Sequence, residues 1–368
     1  MKILFNILFF LAFILPSYTY TYLFIIVGAI LFSFFNFKSF NFSHQKFIFL
    51  AVFFIALSSN ILSNNLIFLS DIDLIKNFLL LIIVMLLGNY NTYSLNSSII
   101  LTIIGLLIFS QLTFVFDLTF FKNIIDNFYP VEDRFLVWTH RSIDSIQDLI
   151  DINIRAGGIF RNPNQYSKYL NLLFIVYLNK HPKFNRAQIT LILIILVSIL
   201  LTGSRTGFFV FFFILTLKLK YEKYNILPFL VLIPTVFALD LYFNFRSLDL
   251  FFDESLANRI PVIDYIFFDS SSLGLLLGNF YGEESISSKL STSFMFDSDL
   301  LSLLYSFGIA GIFILCYIFY RLTIYSGLKY VFPIFLYAIT GGVFFDIRFL
   351  LVLYLVLSFY KPKSENLI

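Results

Sequence analysis

Residues Ile189–Leu201 read Ile-Thr-Leu-Ile-Leu-Ile-Ile-Leu-Val-Ser-Ile-Leu-Leu, a run that is apolar on every side. A strand of a membrane barrel alternates between an apolar and a polar face, and this run does not alternate. In lipid, backbone polar groups must be paired within the segment that carries them, so such a run becomes a helix. Comparable runs recur along the whole of the 368-residue chain, which is 59% hydrophobic and only 13% charged, with a mean hydropathy of +0.89. Soluble proteins carry about 25% charged residues. One globular core could not hide so many apolar runs, and lipid is the solvent that fits them. The fold class expected is an all-α polytopic membrane protein.

About twelve transmembrane helices are expected, near residues 3–16, 20–35, 47–63, 72–88, 98–116, 165–179, 188–202, 206–217, 226–240, 299–320, 330–345 and 347–360. Several are shorter than the roughly 20 residues that a span prefers. The first follows Lys2 as the apolar run Ile3–Leu15, with no small-residue cleavage site after it, so it is expected to stay as an uncleaved helix. With both termini cytoplasmic, the inner segments hold 13 basic residues, among them Lys38, Lys46, Lys180, Lys183, Lys218 and Lys220, against two acids, Glu222 and Glu365. The other 12 basic and 20 acidic residues fall at or beyond the outer face. That is the asymmetry the positive-inside rule requires. The chain then divides into five helices in 1–116, a long periplasmic loop at 117–164, four helices in 165–240, a second long loop at 241–298, and three helices with a cytoplasmic tail in 299–368. In the first loop, Ile143, Ile146, Leu149 and Ile150 recur at helical spacing, with Asp144, Asp148 and Asp151 on another face. This predicts a short amphipathic helix on the outer surface.

The two kinds of cation are sorted by side. Inner basic residues are mostly Lys, whereas eight of the outer ones are Arg: Arg134, Arg141, Arg155, Arg161, Arg205, Arg246, Arg259 and Arg348. Any positive charge fixes orientation, but the planar guanidinium fork binds phosphate bidentately. An Arg-rich outer face therefore points to an anionic, phosphate-bearing ligand; the plainer alternative is that these Args pair with the outer acids.

Three stretches concentrate such chemistry. The first is Arg155-Ala-Gly-Gly-Ile-Phe-Arg-Asn-Pro-Asn164. Here Gly157 and Gly158 let the backbone bend closely, and Asn162-Pro163-Asn164 offers a turn and a helix cap. A helix N-terminus is a natural anion site; the alternative is simply a capped helix with two anchoring Args. The second is Thr202-Gly-Ser-Arg-Thr-Gly207, a very short turn that holds Arg205 at the membrane surface. An Arg at that depth is costly without a partner, and either an anion or lipid head groups would serve. The third is Asp297-Ser-Asp299, which ends the second loop and leads into Leu300–Gly311. Its carboxylates are either caps or acceptors for a hydroxyl proton. Gly308 and Gly311 allow close helix contact. His44, His140 and His181 are scattered, so no metal site is expected. No phosphate-binding loop of the ATPase kind is present, and nothing suggests nucleic-acid binding.

Taken in order, Gly-Gly-Ile-Phe-Arg-Asn-Pro-Asn, a helix, a basic loop, another helix and Thr-Gly-Ser-Arg-Thr-Gly resemble the O-antigen polymerase and ligase family. The segments Gly274–Gly282 and Asp297–Gly311 are similar to it as well, so the resemblance spans about residues 155–311. It implies an enzyme of the bacterial inner membrane acting on glycans carried by undecaprenyl pyrophosphate, without metal or cofactor. It also leaves room for a chain-length regulator as partner. The growing glycan would pass from its carrier to a hydroxyl of the next repeat unit. Arg205 and Arg161 would hold the pyrophosphate leaving group, and Asp297 or Asp299 would take the hydroxyl proton. Arg155, Asn162, Asn164, Ser204 and Arg259 would contact pyrophosphate or glycan. Family ligases usually carry His then Asn at the start of the last motif. This chain has Asp297 and Ser298, which favours a Wzy-type polymerase over a ligase. A flippase or other transporter is the rival from another class. It is disfavoured because the charges sit at helix ends or in loops and no internal repeat is visible.

Overall fold

The computed structural model describes residues 2–14, 96–129, 156–160, 162–181, 186–221, 299–326 and 333–338, with 263–264, 275–276 and 278 as short pieces. These residues are helical, with no strand among them. The chain forms two compact units. One comprises Met1–Ile26 with Leu95–Phe252, the other Val27–Ser94 with Asp253–Ile368.

Among the described residues the first unit holds six α-helices: α1 (Lys2–Ile14), α2 (Ser97–Val115), α3 (Thr119–Phe128), α4 (Pro163–Lys180), α5 (Arg186–Leu200) and α6 (Arg205–Tyr221). α2 is 19 residues long, uncharged and largely apolar, and, by length and composition, the one described helix able to cross a membrane. At 1.5 Å per residue it is about 28 Å long, close to the thickness of a hydrocarbon core. Asn96 caps its start, accepting a bond from Ser98 N at 3.3 Å. The Asn96 N–H in turn donates to Asn6 Oδ1 of α1 at 2.8 Å, so α1 and α2 are tied where α2 begins.

The end of α2 is as well defined as its start. Phe116 N bonds to Leu112 O, Asp117 turns into the left-handed region with φ +46°, and Leu118 N reaches back to Thr113 O at 3.0 Å. This six-to-one closure is a Schellman motif, with Asp in the position more often held by Gly. Lys122 Nζ lies 2.6 Å from Asp117 Oδ1 and clips the turn. α3 follows at once. The sequence predicts its amphipathic surface helix at 143–151, which is outside the described residues; the helix described in this loop is α3, about twenty residues earlier in the chain.

The predicted helices at 98–116, 165–179, 188–202 and 206–217 are present as α2, α4, α5 and α6, with ends shifted by a few residues. The first, expected at 3–16, is α1. Those at 20–35, 47–63, 72–88, 226–240 and 347–360 lie outside the described residues, as does most of 330–345, of which 333–338 is helical.

In the second unit, the helix expected at 299–320 is present as α7 (Asp299–Ser326). It is broken at Gly308, where φ is +59° and ψ −148°. A straight helix would separate residues 303 and 311 by about 12 Å. Here a Cβ placed on Gly311 would run into the carbonyl oxygen of Leu303, so the two limbs fold back on one another at Gly308. The break exists because glycine adopts positive φ without steric cost. It also brings Gly308 onto Leu275, Leu276 and Gly278, where a Cβ would sit 2.5 Å from Leu275 O and 2.6 Å from Gly278 N.

Candidate functional site

The first two motifs, about forty residues apart in sequence, meet in the first unit. Ala156 N donates to Leu201 O at 3.1 Å, one residue before Thr202-Gly-Ser-Arg-Thr-Gly207 begins. Val115 of α2 packs with Ala156, and Leu201 covers them.

A single amide locks this junction. Gln111, fully buried on α2, donates through Nε2 to Ala156 O at 3.0 Å and to Ser198 O at 2.9 Å. Its Oε1 accepts from Ser198 Oγ at 2.5 Å, and Ser198 Oγ is also 2.9 Å from the Tyr166 hydroxyl of α4. One side chain thus bonds to the first motif, to α5 and, through Ser198, to α4. Beside it, Ser110 Oγ accepts from Ile159 N at 3.3 Å. Gly158 lies on this surface with φ +53°, and a Cβ there would be 2.5 Å from Ser110 Oγ and 3.2 Å from Gln111 N. Its backbone conformation favours glycine, and its surroundings leave no room for a side chain.

Each motif then starts a helix. Asn162, in extended conformation before Pro163, accepts through Oδ1 from Asn164 N at 2.9 Å and Gln165 N at 3.4 Å, capping α4. Pro at the first helical position needs no acceptor and is already set to helical φ. In the second motif, Thr202 Oγ1 accepts from Ser204 N at 3.1 Å, and Ser204 Oγ accepts from Gly207 N at 3.2 Å. Ser204 is buried and acts as the cap of α6; Arg205 is the first residue of that helix.

Contacts along α4 and α6 keep one register. A Cβ on Gly207 would lie 2.5 Å from Ser167 Cβ, Asn171 Nδ2 donates to Gly207 O at 2.7 Å, and Phe174 stacks on Phe211 with centroids 5.5 Å apart. At the far end, Lys218 Nζ reaches His181 O at 3.3 Å and Leu178 O at 3.5 Å, covering the last carbonyls of α4. The partners differ by 36 to 40 residues from one end to the other, so the helices run parallel. Their capped N-termini lie side by side, and the positive ends of two helix dipoles are adjacent.

Of the candidate residues, Asn162, Asn164, Ser204 and Arg205 therefore belong to this paired start. Asn164 is exposed there and Asn162 half-buried. Arg155, Arg161, Arg259 and Asp297 lie outside the described residues, and Asp299 opens α7 in the second unit. In that unit Gly308 of the Asp297–Gly311 segment packs on Leu275, Leu276 and Gly278 of the Gly274–Gly282 segment.

Lys168 had no role in the sequence reading. It sits in the second turn of α4, only 3% exposed, with its ammonium 4.9 Å from the centroid of the Tyr169 ring. A cation over an aromatic face is attracted by the ring quadrupole. Its place is an exception to the rule that charges sit at helix ends or in loops. The signal was available, because a Lys five residues past a proline helix start in an apolar segment is itself unusual. The Tyr169 hydroxyl is buried without a hydrogen-bond partner among the described residues, and its ring packs on Phe160 at 4.7 Å and edge-on to Phe13 at 5.6 Å.

Replacing Gln111 with Leu should remove the amide partner of Ala156 O and of Ser198 O and leave Ser198 Oγ with the Tyr166 hydroxyl alone. Each buried polar group left unpaired costs roughly 1–3 kcal/mol. The expected result is a thermal midpoint lower by several degrees in detergent-purified protein, read by intrinsic fluorescence, with the junction loosened. An unchanged midpoint would mean that the amide does not hold the two motifs together.

Compared with protein-family models, with curated proteins and with solved structures, the chain matches none.

Proposed function

We propose that this chain is a multi-pass enzyme of the bacterial inner membrane, a Wzy-type polymerase of lipid-linked glycan repeat units. In this reading about twelve helices cross the bilayer, both termini are cytoplasmic, and the two long loops are periplasmic. The observation that carries it is the parallel pairing of α4 and α6, which sets two capped helix N-termini and Arg205 side by side. Arg161 precedes the α4 cap by one residue in sequence. Two adjacent positive dipole ends, with an Arg at or next to the start of each helix in sequence, suit a ligand with two adjacent phosphates.

The reaction is a glycosyl transfer. An acceptor hydroxyl oxygen of one repeat unit attacks the anomeric carbon of the growing glycan, forming the new glycosidic bond. The bond from that carbon to the pyrophosphate oxygen breaks, and undecaprenyl pyrophosphate leaves with the bonding pair. Arg205 and Arg161 stabilise the charge developing on the leaving group. Asp297 or Asp299 takes the hydroxyl proton. Arg155, Asn162, Asn164, Ser204 and Arg259 shape and line the pyrophosphate and glycan path. No cofactor takes part in this scheme.

The test is the surface-glycan ladder of a deletion strain, run with and without the restored gene. Cores capped by a single repeat unit are expected. Polymer accumulating on the lipid carrier would instead mark a ligase, and an unchanged ladder would overturn both readings in favour of transport.

A further inference from the structure

The loop that begins after α2 opens with a helix whose apolar side is turned outward. On a helical wheel Phe120, Ile124, Phe128 and Phe121 share one arc of α3, while Thr119, Lys122, Asn123, Asp126 and Asn127 share the other. The apolar arc is uncovered, like most of the helix: Phe120 is 69% exposed, Phe128 62%, Phe121 42% and Ile124 40%. Only Ile125, at the edge of that arc, is buried. An amphipathic helix in water covers its apolar side; here that side is left open.

The exposed surface does not stop at α3. Phe121 meets Phe109 of α2 edge to face, with centroids 5.1 Å apart. Phe109 is 44% exposed and continues into Leu106, Leu101 and, at the turn, Phe116 at 59%. One uncovered apolar band therefore runs along the flank of α2 and onto α3. α2 is also the described helix with the length and composition of a membrane span.

We infer that α3 lies in the outer interface of the bilayer, with Phe120, Ile124 and Phe128 among the acyl chains and Lys122, Asn123 and Asp126 in the head-group water. This rests on the membrane-spanning reading of α2 proposed above. Its occupant is lipid, because the band on α3 continues one that lipid covers on α2, and because the turn at Asp117 leaves no spacer to lift α3 off the surface. The inference also fixes depth. Phe109, Ser110 and Gln111 are successive residues of one turn of α2: Phe109 faces outward to α3, while Ser110 and Gln111 face inward to the first motif. The paired helix starts are thereby held at the level where the phosphates of a lipid-borne substrate lie.

The test uses the full chain in lipid bilayers, with Trp138, its single tryptophan, changed to Phe. Single tryptophans are then introduced as Phe120→Trp, Phe128→Trp, Asn123→Trp and Leu106→Trp. Quenchers are phospholipids brominated near the head group, phospholipids brominated deep in the chain, and aqueous iodide. Phe120→Trp and Phe128→Trp should lose most emission to shallow bromines, Asn123→Trp to iodide, and Leu106→Trp to bromines in the chain region. Loss of Phe120→Trp and Phe128→Trp emission to iodide would overturn the inference by placing the face in water. Quenching of those two by neither agent would overturn it by placing protein over the face. If Leu106→Trp also escapes the bromines, the spanning role of α2 fails and takes the inference with it, so the two failures are told apart.

Discussion

Arg205→Ala is expected to abolish polymer formation while leaving the protein in the membrane at normal abundance. Arg205 opens α6, and the start of that helix is held by other groups: Ser204 Oγ on Gly207 N and Ser204 O accepting from Phe208 N at 3.0 Å. Alanine is the best helix former, so the helix should persist without the guanidinium. Loss of one preorganised donor to a developing anion lowers turnover by about 10²–10³-fold. In a complemented deletion strain that loss reads as a ladder collapsed to single repeats. Arg205→Lys should also be impaired, because a point charge cannot reproduce the two-pronged contact. A normal ladder from Arg205→Ala, at equal protein level, would remove this residue from the mechanism.

Gly207→Val should be nearly as damaging, for a steric reason. Gly207 is buried where α4 and α6 touch, and even the first carbon of a side chain would stand 2.5 Å from Ser167 Cβ and 2.6 Å from Ser167 Oγ. The helices must separate to admit it. Overpacking of this kind costs about 1–3 kcal/mol. It should also weaken the bond from Asn171 Nδ2 to Gly207 O and pull the two helix starts apart. A lower thermal midpoint and a loss of polymer are both expected. The sharper check is a double substitution: Gly207→Ala alone should be destabilised, and Ser167→Gly should recover part of the loss, because contacting residues do not contribute additively. Absence of any such coupling would mean that the helices are not held at this distance by Gly207.

Much of the local chemistry was legible in the sequence because it is local. Asn162-Pro163 reads as a capped helix start, and residues 202–204 read as a tight turn, since each depends on neighbours within a few positions. Gln111 is different. In the run 98–116 it is a lone amide among apolar residues, and its partners are 45 and 87 residues away. No periodicity points to them. In sequence Gly308 has the look of a packing glycine, which is what a glycine in an apolar helix usually is. The break there goes with Leu275, Leu276 and Gly278 packing against it, and that is a tertiary event. α3 carries its own signal in Phe120, Phe121, Ile124 and Phe128, but it begins only four residues after α2 ends, and the run of Phe obscures where one helix stops and the next begins.

The junction between the two motifs is held largely by the main chain. Ala156 N and O, Leu201 O, Ser198 O, Ile159 N and Gly207 O take part in most of its bonds. Main-chain atoms are the same whatever side chain is attached, so the residues that carry them are free to drift. Only a few positions are constrained by identity: the amide at 111, the hydroxyl at 198, and the missing side chains at 158 and 207. A descendant of this chain could exchange most of its residues over time and still keep the same paired helix starts, so its ancestry would be recorded in geometry long after it had faded from the letters.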